Sequence, residues 1–359
     1  MEYGDFMSTN RELKRLEGAK KLISEGMELR SDDFLLILAN ENKLGVVKYL
    51  VHAAKTLGIE SLVVQIPEVL RPISKVPPAL SAALNVADAL IYVADRMLEE
   101  DFYFNRVLSV ICRYREYLGK QPTKYCMMSN AKPRYFEEGI AADYKVVQMK
   151  CQKIAELLME SKKIEITSDT GTSISFSLYK EVLPRAPSYS YTFSSERARA
   201  FLPFLQAPEG EVMGCPIEDT FTGKLVVDGA ISGVGAPPSP IIWSFERGQS
   251  VNVDGDEKFL SKLLRFIRRA DSRVRSLRGI WVAEFSVGAN DWAVLDDNFS
   301  NCEKVAGTFH IGIGHTEAQI GIERGEKFHF DCVVVNSNVT VIKRDNKKVE
   351  LIRSGKLLI

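Results

Sequence analysis

A change of rhythm near residue 163 constrains this chain more than any single motif does. Before it, short apolar runs at 34–39, 61–66, 89–94 and 123–128 alternate with helical periodicity at 43–57, 76–87, 102–118 and 141–161. Runs that are apolar on both pleat faces belong to strands covered on both sides, and strands separated by helices need parallel crossovers. The expectation for 1–162 is therefore an N-terminal three-layer α/β domain with a parallel sheet. A leading helix at 11–24 ends at Gly26, in the place of a left-handed C-cap. After residue 163 the runs alternate at 164–168 and 172–178 around the turn Asp169-Thr170-Gly171, and strand patterns recur at 224–231, 240–246, 280–287, 305–313 and 328–342. With one helix near 256–276, residues 163–359 are expected to form a mainly β (α+β) C-terminal domain. The Pro/Gly-rich stretch 233–240 reads as a loop beside a site or at an interface.

Charge narrows the classes of function. Lys plus Arg and Asp plus Glu each total 47, so no net field draws the chain to nucleic acid or to an anionic membrane. Arg268, Arg269, Arg273, Arg275 and Arg278 read as a solvated helix face. The beginning of the sequence has no secretion-signal pattern, and no run approaches the eighteen or so apolar residues of a membrane span, so a soluble cytoplasmic protein is expected. Six cysteines without a Cys-x-x-Cys pair are expected to be reduced thiols. The first strand-to-helix junction, Ala39-Asn40-Glu41-Asn42-Lys43, lacks a glycine-rich phosphate turn, so a nucleotide cofactor is not expected. His52, Cys112 and Trp243 read as packing residues.

Three of the four histidines, His310, His315 and His329, fall close together near the C-terminus. Imidazoles and carboxylates hold divalent cations, and residues two apart on a strand share a face, so His329 and Asp331 stand side by side. His310 lies in Gly-Thr-Phe-His-Ile-Gly-Ile-Gly, and Glu284 is an acid inside an apolar strand, where an unpartnered carboxylate costs several kcal/mol. Glu209 and Glu211 add acids on a constrained segment. Glu211, Glu284, His310, His329 and Asp331 together suit two divalent ions, about one charge short of balance, with a bridging hydroxide closing the gap. Spacing alone leaves open a chance grouping of histidines and a simple arginine partner for Glu284.

Five motifs then occur in a particular order: Pro-x-Gly-Glu-Val (208–212), Gly-Lys-Leu-Val-Val-Asp-Gly (223–229), Ala-Glu-Phe-Ser-Val-Gly-Ala-Asn (283–290), Gly-Thr-Phe-His-Ile-Gly-Ile-Gly (307–314) and His-Phe-Asp (329–331). The chain resembles the M29 family of metalloaminopeptidases, the aminopeptidase T (leucyl aminopeptidase-like) type, over most of its length. The resemblance implies that Glu211, Glu284, His310, His329 and Asp331 are ligands of two divalent ions, zinc, cobalt or manganese. It implies a peptide substrate whose carbonyl one metal polarises for attack by a bridged water, while the other metal steadies the free amine. Glu209 or Glu211 would shuttle the proton, and a homodimer would form mainly through the C-terminal domain.

One departure is plain. The family's tyrosine after the metal-binding histidine is missing, since no tyrosine follows Tyr191. His315 is the residue placed to act as a donor or an extra ligand instead; losing one such donor weakens catalysis by roughly a hundredfold. A related branch resembles 2,5-dihydroxypyridine dioxygenases, in which one iron(II) would take His310 or His315 with His329 and Asp331. Glu284 argues for a second metal against that reading. A binding or scaffold homologue is the third.

Overall fold

Alternate residues of one buried strand show how the first layers are built. Leu35, Ile37 and Ala39 join a core with α1 (Asn10–Lys21) and α2 (Leu44–Thr56), while Leu36 and Leu38 join a second core that contains Leu80 and Leu84 of α3 (Pro78–Val86). Both faces of the strand are covered, which is why its sequence is continuously apolar rather than alternating. The strand is β1 (Phe34–Asn40), and it pairs in parallel with β2 (Glu60–Ile66) and β3 (Ala89–Ala94); β3 pairs in turn with β4 (Lys124–Ser129). The computed structural model describes residues 9–67, 76–95, 108, 111–112, 119–185, 204–316 and 326–359, over 180–185 as backbone alone. Of the helix expected at 102–118, only residues 108, 111 and 112 lie within it, all helical. Helix α4 (Tyr144–Met159) matches the run expected at 141–161.

Two compact units emerge: residues up to 145 with 204–209, and 146–185 with 210–359. The chain is α/β, with an α/β N-terminal part and a mainly β C-terminal part. Its remaining strands are β5 (Ser161–Thr167), β6 (Ser173–Phe176), β7 (Leu178–Arg185), β8 (Phe204–Gln206), β9 (Glu211–Pro216), β10 (Thr222–Val227), β11 (Ile241–Glu246), β12 (Gln249–Asp254), β13 (Val282–Gly288), β14 (Phe309–Gly314), β15 (His329–Val334), β16 (Asn338–Lys343), β17 (Lys348–Arg353) and β18 (Lys356–Leu357). Among the described residues they form three sheets, ordered β2-β1-β3-β4-β8, β12-β11-β10-β6-β5-β16-β17-β18 and β15-β14-β13-β9-β7. The first is wholly parallel, and the other two pair antiparallel throughout. Helix α5 (Glu257–Ala270) starts at Asp256, whose carboxylate accepts from the Phe259 amide. No described helix is long and apolar enough to cross a membrane.

Three expectations change, the first being the helix expected near 256–276, which ends at Ala270 and so carries Arg268 and Arg269 but not Arg273, Arg275 or Arg278. Gly26 closes a π-helical turn, and the left-handed position falls at Glu28, with φ 53°. Gly26 is small for a packing reason, since a Cβ there would meet Tyr144 Cε2 at 2.8 Å. The pattern at 328–342 is two strands, β15 and β16, in different sheets, and Asn336 and Ser337 break the ladder between them.

The two antiparallel sheets face one another through aromatic rings. Trp243 of β11 lies 5.9 Å from Phe330 of β15, and Phe176 of β6 lies 5.2 Å from Phe285 of β13. The buried indole N–H of Trp243 donates to Ser250 Oγ. With the odd-numbered Phe285, Val287, Phe309, Ile311 and Ile313 buried in their strands, the even-numbered residues of β13 and β14 are left for the opposite face. Truncating Trp243 removes the largest ring of this layer. Trp243→Ala is expected to cost about 3–5 kcal/mol in denaturant unfolding, and a loss under about 1 kcal/mol would show that the sheets are not held together here.

Candidate metal centre

Four neighbouring strands of the third sheet bring their polar side chains to one place. β15 gives His329 and Asp331, β14 gives His310, β13 gives Glu284, and β9 gives Glu211. Register does the alignment: Glu284 and Asp331 each pair with Gly312, His310 with Ser286, and Glu211 with Gly288. All five residues predicted as ligands therefore meet on one patch.

The distances show how Glu284 relates the two sides. Its Oε1 is 3.2 Å from His310 Nε2 and accepts from Ser286 Oγ at 2.6 Å, while its Oε2 is 3.6 Å from His329 Nε2. One carboxylate thus turns a different oxygen to each imidazole. His329 Nε2 also meets Asp331 Oδ1 at 2.9 Å, and Glu211 Oε2 is 3.8 Å from His310 Nε2. Two sets of potential ligands result, Glu284 with His329 and Asp331, and Glu211 with His310 and Glu303, the chosen atoms in each lying within 4.8 Å of one another.

The residues around the patch fix its rotamers. The main-chain carbonyl of His315 is 2.7 Å from His329 Nδ1, so it accepts that N–H and leaves Nε2 for the pocket. Asp331 N donates to Ser232 Oγ, which stands at the edge of the Pro/Gly-rich stretch. Asp228 accepts from Val335 N, and Gly229 N donates to Val333 O, so the 223–229 motif laces onto the back of β15. Glu209 accepts from Gln206 N at 2.7 Å and belongs to the first unit.

Sequence reasoning missed three members. Glu303 and Lys304 follow the short helix α6 (Phe299–Cys302) in a stretch with no periodicity, and Lys304 Nζ is 2.6 Å from Glu211 Oε1 and 2.9 Å from Glu303 Oε1. Lys304 is 0% exposed, which is rare for lysine unless it is paired. The one sequence sign was a charged pair set between Cys302 and Val305 just upstream of His310. Ser232 carried no signal.

Electrostatics expose a demand for positive charge. Burial works against a charged imidazole, yet the hydrogen bond to Glu284, with Asp331 and Glu211 nearby, lifts His310 to about 9. His329 is lifted to about 10 against the same burial by Asp331 and Glu284. Burial raises Glu284, but the His310 hydrogen bond outweighs it and holds that carboxyl below its ordinary value. Burial pushes Glu303 up to about 7, with Lys304 pulling the other way. Without a metal, the cluster therefore gathers protons on its histidines. The donor set of carboxylates and imidazoles suits zinc, manganese, cobalt or iron(II), and among the described residues the buried Nδ1 of His310 has no hydrogen-bond partner.

No family model matches the chain, and no curated protein sequence does. Among solved structures, wild-type AmpT from Thermus thermophilus superposes with a TM-score of 0.67 at 16% identity, over 97% of this chain and 100% of that one. The 2,5-dihydroxypyridine dioxygenase from Pseudomonas putida KT2440 superposes with a TM-score of 0.66, also at 16% identity, over 96% of each chain. The chain has the fold shared by these two enzymes.

Two outcomes test the centre. A cation that recruits His310 or His329 must displace its proton, so calorimetry in buffers of different ionisation heat is expected to show about one proton released per imidazole engaged at pH 7. Affinity should accordingly rise with pH up to the 9 to 10 range of these groups and fall as pH drops. Gly312 lets the two flanking strands share the pocket: a Cβ there would lie 2.7 Å from Glu284 Cβ and 2.8 Å from both Asp331 Oδ1 and His329 Cε1. Gly312→Ala is expected to weaken metal binding in equilibrium dialysis at least about tenfold, and unchanged affinity would place the ions elsewhere.

Proposed function

We propose that this chain is a metal-dependent aminopeptidase-like hydrolase that releases N-terminal residues from peptides at a dinuclear centre with a bridging water. The observation that carries the reading is Glu284, whose two oxygens face His310 and His329 separately at 3.2 and 3.6 Å, the disposition of a carboxylate shared by two cations. Divalent ions held there would supply Lewis acidity and a water acidified toward neutral pH. The chain's own share is to fix geometry. Ser286 holds Glu284, the His315 carbonyl holds His329, and Ser232 holds the Asp331 backbone. Glu209, two residues before Glu211, is the proposed proton shuttle, and His315, immediately after β14, is the proposed donor in place of the missing phenol. A peptide substrate, a cytoplasmic setting and a homodimer through the C-terminal domain belong to the same proposal.

The dioxygenase reading has a specific support in the equally good superposition on the dioxygenase fold. It would assign His310 or His315, with His329 and Asp331, to one iron, and it leaves Glu211 and Glu284 unexplained. Purified protein with added zinc, cobalt or manganese is expected to release N-terminal residues from short peptides, and both His329→Ala and Glu284→Gln should reduce that rate about a hundredfold. Oxygen uptake with an anaerobically loaded iron form, and no peptide release, would establish the alternative. Absence of both reactions with metal still bound would point to a binding protein.

A further inference from the structure

We propose that Lys304 supplies a built-in cation to the His310-side half of the centre, so that the chain holds one divalent ion firmly between Glu284, His329 and Asp331 and a second only weakly. This rests on reading the cluster as a metal centre and is independent of the reaction it carries out. The two halves differ in burial, His310 being buried and His329 half-buried, and they differ in the cation beside their carboxylates. Lys304 Nζ stands 2.6 Å from Glu211 and 2.9 Å from Glu303, the two carboxylates of the His310-side set. Among the described residues, Glu284 and Asp331 have only the imidazoles of His310 and His329 as ion-pair partners.

Lys304 is not a side chain that drifts in from solvent. It is wholly buried, its N–H donates to Asn301 O at 3.2 Å, and its carbonyl accepts from Asn290 N at 2.8 Å. The Ala-Glu-Phe-Ser-Val-Gly-Ala-Asn segment that carries Glu284 therefore ends on the residue that anchors Lys304. Moving the ammonium out would require undoing that loop. A dication entering beside Glu211 meets a fixed like charge in a poorly screened interior and shares carboxylates that are already neutralised. Among the described residues nothing of the kind opposes it at the other half.

The test is metal titration of the full-length chain, first stripped of metal, with zinc and separately with manganese, read by equilibrium dialysis with elemental analysis and by competition with a chromophoric chelator. Wild type is expected to take one ion tightly and a second about a hundredfold more weakly or worse. Lys304→Met, which leaves Glu211 and Glu303 without their ammonium, should bring the second ion to within about tenfold of the first, while Lys304→Arg should keep the wild-type pattern. Lys304→Gln serves if Lys304→Met does not fold, judged by its thermal midpoint. Two ions of equal affinity in wild type overturn the proposal while leaving the metal centre intact, as does a charge-removing variant whose second-ion affinity is unchanged. No ion bound by wild type removes the metal centre itself.

Discussion

Four carboxylates crowded onto one buried patch of sheet set the terms for the second unit. Two unit charges about 4 Å apart interact by about 4 kcal/mol even at an effective dielectric of 20, so Glu211, Glu284, Glu303 and Asp331 are held together only if cations are supplied. Among the described residues the chain offers one ammonium and two imidazoles, and both imidazoles are driven well above their ordinary range to meet the demand. Such an arrangement would be a poor way to stabilise a fold, because packed apolar side chains in the same space do as well or better. The arrangement suits a centre in which a metal would take the place of the protons on His310 and His329.

The sheet architecture turns this demand into a defined geometry. Antiparallel neighbours put every second residue on the same face, so four adjacent strands can deliver ligands from far apart in sequence without any loop holding them. The opposite face carries Phe285, Phe309 and Phe330, and their packing against Trp243, Phe176 and one another prevents the strands from slipping in register. A one-residue slip would exchange ring for ligand on a strand. Apolar packing on one side therefore fixes polar chemistry on the other. Gly312 completes the design by leaving empty the space that Glu284, His329 and Asp331 need.

This logic also marks what the sequence could reveal. The parallel sheet was readable because its strands are apolar on both faces and separated by helices. The five candidate ligands were readable because they lie on alternating strands or beside Gly and Pro, with few other histidines to confuse the pattern. β9 was harder to see: Glu211-Val-Met-Gly-Cys-Pro is bounded by glycine and proline, and it becomes a strand through pairing with β13 and β7. Glu303 and Lys304 showed only as a charged pair between Cys302 and Val305, which does not distinguish a buried Lys from a surface one; the main-chain bonds of Lys304 run to Asn301 in α6 and to the remote Asn290. Gly26 misled for a related reason, its lack of a side chain answering a ring 118 positions away rather than a helix end.

Lys304 also limits what the cluster can do, because its ammonium is wholly buried between Glu211 and Glu303. That ammonium neutralises Glu211 and Glu303 but is committed to them at 2.6 and 2.9 Å, so it cannot also serve as a mobile proton donor to a substrate. Its effect is on which cations the pocket accepts and how unequally it holds them. A centre with one firm and one weak position would respond to metal supply by changing its occupancy rather than its shape. A fold alone does not fix a chemistry, and this chain superposes almost equally well on AmpT and on the dioxygenase.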